Sequence, residues 1–306
     1  MTIVPPAPDE PRRPHGPRDP GDAWVVADDG TRYWGRFGAA GLLALDAQRG
    51  ILLQHRVSWS HFGGTWGLPG GARHEHESAC DAALREAAEE AGVPADAVRP
   101  RLLSTLDVGI WSYGTVLADV IEPFEPVISD PESRELSWVP VADVDGYPLH
   151  PGFADAWPRL RALLDVHPAV VVDAANVVGS VPDGWWRDRA GAASRLLRRV
   201  AAWAREGVEA HDLDLDLGLA DGRWYPDVSV VLEGQARAAD RPAGVHVVPA
   251  PATGDDAIVA EAARLVALGR QVTVVTSDRE LSRRVGEAGA RVRGAGWLLD
   301  LLPDAS

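Results

Sequence analysis

Residues 71–93 read GARHEHESACDAALREAAEEAGV, and the placing of the acids in that run governs what the chain can become. Gly71 is followed after five residues by Glu77, after seven more by Arg85-Glu86, after two by Glu89-Glu90, and after one by Gly92 and an aliphatic. Residues 78–91 contain neither Pro nor Gly and are mostly good helix formers, so a helix is expected there. On a helix Glu86, Glu89 and Glu90 stand three and four residues apart and share one face. Like charges so placed repel, and only Arg85 lies nearby to offset them. A divalent cation held between the carboxylates would make the cluster favourable.

This run resembles the Nudix box and matches it at every fixed position. The preceding Trp66-Gly67-Leu68-Pro69-Gly70-Gly71 resembles the strand-to-loop entry of that family. The resemblance implies an α/β fold, a mixed sheet sandwiched between helices, and hydrolysis of a nucleoside diphosphate linked to another group. It implies Mg²⁺ or Mn²⁺ held by Glu86, Glu89, Glu90 and the Gly70 carbonyl, with Arg85 orienting the neighbouring carboxylates. Glu86 is the favoured base, and Glu132 or Glu135, from an acidic loop over residues 130–135, is the alternative. Glu77 is expected to support the loop. Ala87 stands where a bulkier aliphatic is usual, which loosens one packing contact.

Bulk properties frame this reading. With 306 residues there is room for two cores, and 46% hydrophobic with 25% charged residues is ordinary for a globular protein. No apolar run approaches the roughly 20 residues of a membrane span. The N-terminus lacks a signal-peptide apolar region, so export is not expected and a cytoplasmic location is. Cys80 is the single cysteine and can form no internal disulfide; it is read as packing filler. All 30 basic residues are Arg, which with the abundant Ala, Gly and Pro points to GC-rich coding. The net charge of −15 argues against indiscriminate nucleic-acid binding. The first 165 residues carry 25 acids and 14 arginines against 20 and 16 in the rest, leaving the second half freer to meet a polyanion.

Residues 1–22 hold seven prolines and mixed charges and are expected to be a disordered tail. A first domain is expected over residues 23–166. Its strands fall near 23–26, 41–45, 51–54, 102–106, 115–121 and 137–140, and a helix over 157–164 takes Pro158 in its first turn. His74 and His76 are read as exposed loop residues, without partners for a zinc site. A second domain is expected over residues 167–306. There apolar strands at 169–173, 227–233, 245–248 and 272–278 alternate with helices at 190–205, 255–268 and 279–288. Strands apolar on both faces imply a parallel sheet flanked by helices. Function in such sheets collects at the carboxyl ends of the strands, where Asp173, Glu233 and Asp278 stand and where Asp255 opens a helix. Four acids there form a pocket for one or two divalent ions.

The runs Val171-Val172-Asp173-Ala174-Ala175-Asn176, Gly254-Asp255-Asp256-Ala257-Ile258 and Thr276-Ser277-Asp278-Arg279 resemble the NYN domain, a PIN-like branch of metal-dependent ribonucleases. The resemblance implies Asp173, Asp255 and Asp278 as metal carboxylates, Asp173 and Asp278 being catalytic, with Glu233 as a fourth where Asp is more usual. Asp256 is an alternative to Asp255, and Asn176 would position a phosphate or a water. Trp185-Trp186-Arg187-Asp188-Arg189, with Arg195, Arg198 and Arg199 downstream, is a candidate path for single-stranded RNA, Arg187 and Arg189 being the expected contacts. Arg195 and Arg199 stand at i and i+4 on a helix whose other face is Leu196, Leu197 and Val200, which favours a solvated amphipathic face over direct RNA contact there. Trp59, Phe62 and Trp66 form either a base-stacking wall or sheet packing. The expected activity is therefore pyrophosphohydrolysis of a nucleotide, with ribonuclease activity behind it. The alternatives are a first domain that only senses a nucleotide and a second that only binds. Family resemblance also implies a homodimer.

Overall fold

The computed structural model describes residues 1–6, 21–129, 131–182, 184–215, 222–251 and 253–303. The chain divides into two compact units, one built on Met1–Asp165 and the other on most of Val166–Ser306. Among the described residues no helix is long and apolar enough to cross a membrane.

The first unit begins with three short strands, β1 (Thr2–Val4), β2 (Trp24–Val26) and β3 (Arg32–Trp34), paired antiparallel in that order. The expectation of disorder from residue 1 is corrected at Thr2–Val4: Thr-Ile-Val is a strand-forming run, and Val26 to Trp24 supply its partner. Residues 7–20 of the expected tail lie outside the described residues. The main sheet uses β4 (Ala39–Asp46), β5 (Gly50–Arg56), β6 (Trp66–Gly67), β7 (Gly70–Ala72), β8 (Val98–Asp107), β9 (Ser112–Val120) and β10 (Ser133–Val139). Its order within this unit is β10-β5-β4-β9-β8, parallel between β4 and β9 and antiparallel elsewhere. It is thus the mixed sheet expected.

One irregularity makes room for the site. β4 and β5 pair only at their hairpin end, Leu45 with Ile51 and Asp46 with Gly50. Beyond it they part, with β6 beside Gln54 and His55 and β7 beside Ala39, Ala40 and Gly41. Leu68 and Pro69 cross the gap, where the Pro69 carbonyl accepts from the Leu42 N–H at 2.9 Å.

Helix α1 (Ala79–Ala91) packs on this sheet. The Ser78 hydroxyl caps it, accepting from the Asp81 N–H at 3.0 Å, and Gly92 ends it at φ 63°, a left-handed turn that favours glycine. Its buried stripe is Ala82, Ala83, Ala87 and Ala91, set against Ala40, Leu42, Ala44, Leu52, Val116 and Ala118. Side chains this small bring the helix backbone close to the strands. Half-buried Cys80 packs at the edge of the same cluster.

Helix α2 (Pro151–Ala162) starts earlier than the 157–164 expected. Pro151 occupies a first-turn position where its missing N–H costs nothing, and Pro158 lies inside the helix on its exposed side. Phe153, Trp157 and Leu160 form its buried face.

The second unit contains β11 (Pro168–Asp173), α3 (Ala174–Gly179), α4 (Arg189–Glu206), β12 (Val208–Glu209), β13 (Gly222–Trp224), β14 (Asp227–Leu232), β15 (His246–Pro249), α5 (Gly254–Ala267), β16 (Gln271–Val275), α6 (Arg279–Glu287), β17 (Arg291–Arg293) and α7 (Ala295–Leu301). The sheet order is β15-β14-β11-β16-β17 and every pairing is parallel. Both faces of the inner strands β14, β11 and β16 are buried. Ala169, Val171, Val272 and Val274 pack with Ile258, Ala262, Leu281 and Val285 of α5 and α6, while Val170, Val172, Val230 and Val275 are equally sealed on the alternate positions. β16 ends at Val275 instead of reaching Asp278, and just past it the Thr276 hydroxyl donates to Asp173 at 2.9 Å.

Candidate active site

In the first unit the acids of α1 meet the β6–β7 wedge. Glu86 and Glu90 are 4% and 3% exposed, so two carboxylates lie buried together. Glu90 accepts from the Gly70 N–H at 2.9 Å and from the Gln54 amide at 3.3 Å. A Cβ on Gly71 would stand 2.7 Å from the Glu86 carboxyl carbon, so only glycine lets that carboxylate lie against the backbone. Burial first, then repulsion from Glu86, pushes the Glu90 carboxyl up to about 8, with the Gly70 N–H pulling the other way.

Arg85 ties the arrangement together. Its Nε and Nη2 donate to the two oxygens of Glu77 at 2.8 and 2.9 Å, its Nη1 donates to Glu86 at 2.7 Å, and Nη2 also reaches the Ala72 carbonyl at 3.0 Å. Glu89, whose side chain is 41% exposed, lies 3.5 Å from the same guanidinium. Hydrogen bonds from Arg85 hold the Glu77 carboxyl below its usual range, outweighing its partial burial. Glu77 also accepts from the His74 N–H at 2.9 Å, and so braces the loop through both ends of its carboxylate. His76 is exposed as expected, whereas His74 is half-buried because this loop folds over Glu77.

The fit of a divalent cation rests on the donor set. Two buried carboxyl groups whose joint ionisation is opposed, a glycine cradle and the Gln54 Oε1, buried without a hydrogen-bond partner among the described residues, all suit a positive guest with its water. Among the described residues no three His, Cys, Asp or Glu side chains already stand gathered as a ligand set. Glu89 would have to turn inward from Arg85 to complete one.

The remaining expectations divide. Glu132 is half-buried, and its charge acts on Glu90; Glu135 is exposed on β10 opposite His55. Trp66 is buried, its ring stacked on His55 at 4.7 Å and edged by Tyr147 at 5.1 Å, so it packs the sheet. Trp59 and Phe62 are exposed at 44% and 46%. Sequence reasoning passed over Gln54 and Arg56. The available signal was the polar end, Gln54-His55-Arg56, of a strand that is apolar before it.

In the second unit Asp173, Asn176, Glu233, Asp255 and Asp278 line one cavity of about 200 Å³. β11 lies where the strand order reverses between β14 and β16, the place such sheets offer to ligands. Asp173 is buried, which raises its carboxyl despite hydrogen bonds from the Asn176 N–H at 3.0 Å and Thr276 at 2.9 Å. Glu233 accepts from the Gly254 N–H at 2.9 Å, and Asp278 caps α6 through the Leu281 N–H at 2.7 Å. Asn176 accepts from the Ser277 N–H at 2.9 Å, strapping α3 to the loop that carries Asp278. Asp256 instead binds Arg284 at 2.6 Å and is not among the lining residues. Trp186 and Arg187 are exposed, and the Arg189 guanidinium lies 5.4 Å over Trp185. Arg195 and Arg198 are exposed on α4, and Arg199 donates to the Pro303 carbonyl at 2.7 Å.

A mixed sheet carrying a capped acid helix against a double-glycine wedge defines a Nudix-type hydrolase unit. Residues 35–163 match the NUDIX domain, and the chain belongs to that family. It is 50% identical over 154 residues to the putative 8-oxo-dGTP diphosphatase 3 of Mycobacterium tuberculosis, covering 47% of this chain and 70% of that protein. A nucleoside triphosphate pyrophosphatase/Nudix hydrolase fusion protein of Bifidobacterium longum is 40% identical over 154 residues, covering 48% of this chain and 32% of the fusion. The crystal structure of a Nudix hydrolase from M. smegmatis, RenU, is 48% identical, covers 47% of this chain and 94% of its own, and has a TM-score of 0.43.

Proposed function

We propose that the first unit hydrolyses the diphosphate linkage of a nucleoside triphosphate carrying a damaged guanine. The observation that carries the reaction is the buried Glu86–Glu90 pair, set against the Gly70-Gly71 backbone and held by Arg85. The substrate follows from the similar protein named as an 8-oxo-dGTP diphosphatase. Mg²⁺ or Mn²⁺ would be held by Glu86, Glu89, Glu90 and the Gly70 carbonyl, and when bound supplies charge screening and a more acidic water. Arg85 fixes Glu86 through one oxygen, so that the carboxylate enters the reaction in one orientation. Glu86 takes the proton of the attacking water, and Glu132, whose charge reaches Glu90, is the second candidate for that role. Glu77 stays outside the chemistry, since Arg85 engages both its oxygens.

The test is a product assay with Mg²⁺ on 8-oxo-dGTP, dGTP, a nucleotide sugar, a dinucleoside polyphosphate and a dinucleotide cofactor. The expected result is monophosphate and pyrophosphate from 8-oxo-dGTP at the highest kcat/KM. Saturable binding without products would support a sensor instead and overturn the hydrolase reading.

For the second unit we infer a NYN, PIN-like, metal-dependent ribonuclease occupying residues 167–306. Its support is the gathering of Asp173, Asn176, Glu233, Asp255 and Asp278 on one cavity at the carboxyl edge of a parallel sheet. Asp173, Asp255, Asp278 and Glu233 would hold the ion, and Trp185, Trp186, Arg187 and Arg189 would take the single strand. The full chain should cleave labelled single-stranded RNA with Mn²⁺, and Asp173→Asn should not. Intact RNA with the wild-type chain in both Mg²⁺ and Mn²⁺ would remove the claim.

A further inference from the structure

Leu52 and Gln54 alternate along β5 and therefore share a face, on a stretch that has already parted from β4. Leu52 packs in the core beneath α1, and Gln54, 0% exposed, is the next residue in that row. Its Nε2 donates to the Ser133 hydroxyl at 2.7 Å and to Oε2 of Glu90 at 3.3 Å. Its Oε1 has no hydrogen-bond partner among the described residues. Packing does not account for an amide here. A methionine has nearly the same length and flexibility and would leave no buried acceptor unpaired.

The two buried carboxylates are steered by different groups. Glu86 is held by Arg85 and lies against Gly71. Glu90 has no such cation donating to it in a printed ladder of bonds like that of Arg85; instead its Oε2 accepts from the Gly70 N–H of β7 and from Gln54 of β5. One donor leaves a carboxylate an axis to turn about, and a second donor from another strand removes it. An ionised carboxylate only accepts, so the amide presents Nε2 to it, and the Ser133 hydroxyl adapts to take the same group. Ser133 is 7% exposed and pairs with Arg56 in the β5–β10 ladder, just before the register shift that follows it. The charges of Arg56 and of Glu132, the neighbour of Ser133, also reach Glu90. Gln54 thus ties the acid of α1 to the start of β10.

We propose that Gln54 is a positioning residue for the divalent cation, its amide, braced by Ser133, fixing the rotation of the Glu90 carboxylate. This rests on the reading of the same cluster as the cation site of a hydrolase. Groups that hold a ligand's side chain in place set metal affinity nearly as strongly as the ligands do.

The test is calorimetric titration of Mn²⁺ alone into the full chain as wild type, Gln54→Met and Ser133→Ala, with melting temperatures measured alongside. Glu90→Gln serves as the reference that identifies which binding event belongs to α1. That event should weaken about ten- to a hundred-fold in Gln54→Met and less in Ser133→Ala, at unchanged melting. The Mn²⁺ needed for half-maximal turnover of 8-oxo-dGTP should rise by the same factor. Equal affinity in wild type and Gln54→Met overturns the proposal, as does a wild type without the α1 event. Affinity lost only together with melting temperature marks a packing role and overturns it too. Should Gln54→Met fail to fold, Ser133→Ala decides: weaker binding at unchanged melting supports the proposal, and unchanged binding overturns it. Gln54-dependent Mn²⁺ binding without turnover removes the hydrolase reading alone, and turnover with Mn²⁺ affinity indifferent to Gln54 removes this one alone.

Discussion

His150 caps α2 with an imidazole, its Nδ1 accepting from the Gly152 N–H at 3.2 Å. A protonated imidazole has no lone pair to accept with, so the cap and the proton exclude one another. Burial first, then the charges of Arg56 and His61, lowers the His150 pKa from 6.5 to about 4. Between those values the unfolded chain binds the proton and the folded one does not, so this residue's contribution to stability falls as pH drops from 6.5 towards 4. The cap at stake is worth about 1 kcal/mol. Replacing His150 with Asn keeps a good capping side chain and removes the titration. Melting curves from pH 7 to 4.5 should show a shallower decline for His150→Asn than for wild type, and parallel curves would contradict the capping account. Legibility at this scale followed chemistry fixed by spacing. Glu86, Glu89 and Glu90 could be placed on one face because helical period alone puts them there. Arg56 and Gln54 could not be placed in a cleft, because strand alternation names a face and says nothing of where two strands part.

At the scale of elements, α1 was readable because its signals are local: a serine cap, no breaker within, and a left-handed glycine to stop it. The apolar strands β11 and β14 were readable for the same reason, each being a run of branched residues ending next to an acid. α2 was misplaced because Pro158 was taken for a first-turn residue, when Pro151 already held that role and a histidine, a rare capping side chain, preceded it. β6 and β7 have two and three residues, too short for any period, and exist only because β4 and β5 separate to admit them. That wedge shapes the site, since it carries the Gly70 N–H and the Gly71 cradle to the acids. Trp66 was left open between stacking wall and packing; its strand neighbour His55 covers one face of the ring, and Tyr147 edges it.

At the scale of the whole molecule, the alternation of strands and helices after residue 166 gave the parallel sheet, while the order β15-β14-β11-β16-β17 had to come from the fold. Parallel neighbours are chosen by crossover connections, and local sequence carries no record of them. The gathering of five polar residues on one cavity follows from that order, with Asp173 ending β11 at the reversal point, Asn176 and Asp255 in the first turns of α3 and α5, and Glu233 and Asp278 just past β14 and β16. Each unit thus presents its own acid set, and each set answers to its own substitution. The central claim is that the α1 carboxylates perform the nucleotide chemistry. Its most direct measurement is Mg²⁺-dependent pyrophosphate release from 8-oxo-dGTP by the wild type, Glu90→Gln and Asp173→Asn, each confirmed folded by its melting curve. Removing a proposed metal ligand and one member of the buried carboxylate pair should cost Glu90→Gln at least about 100-fold in kcat, with Asp173→Asn unchanged. Glu90→Gln turning over at the wild-type rate would contradict it.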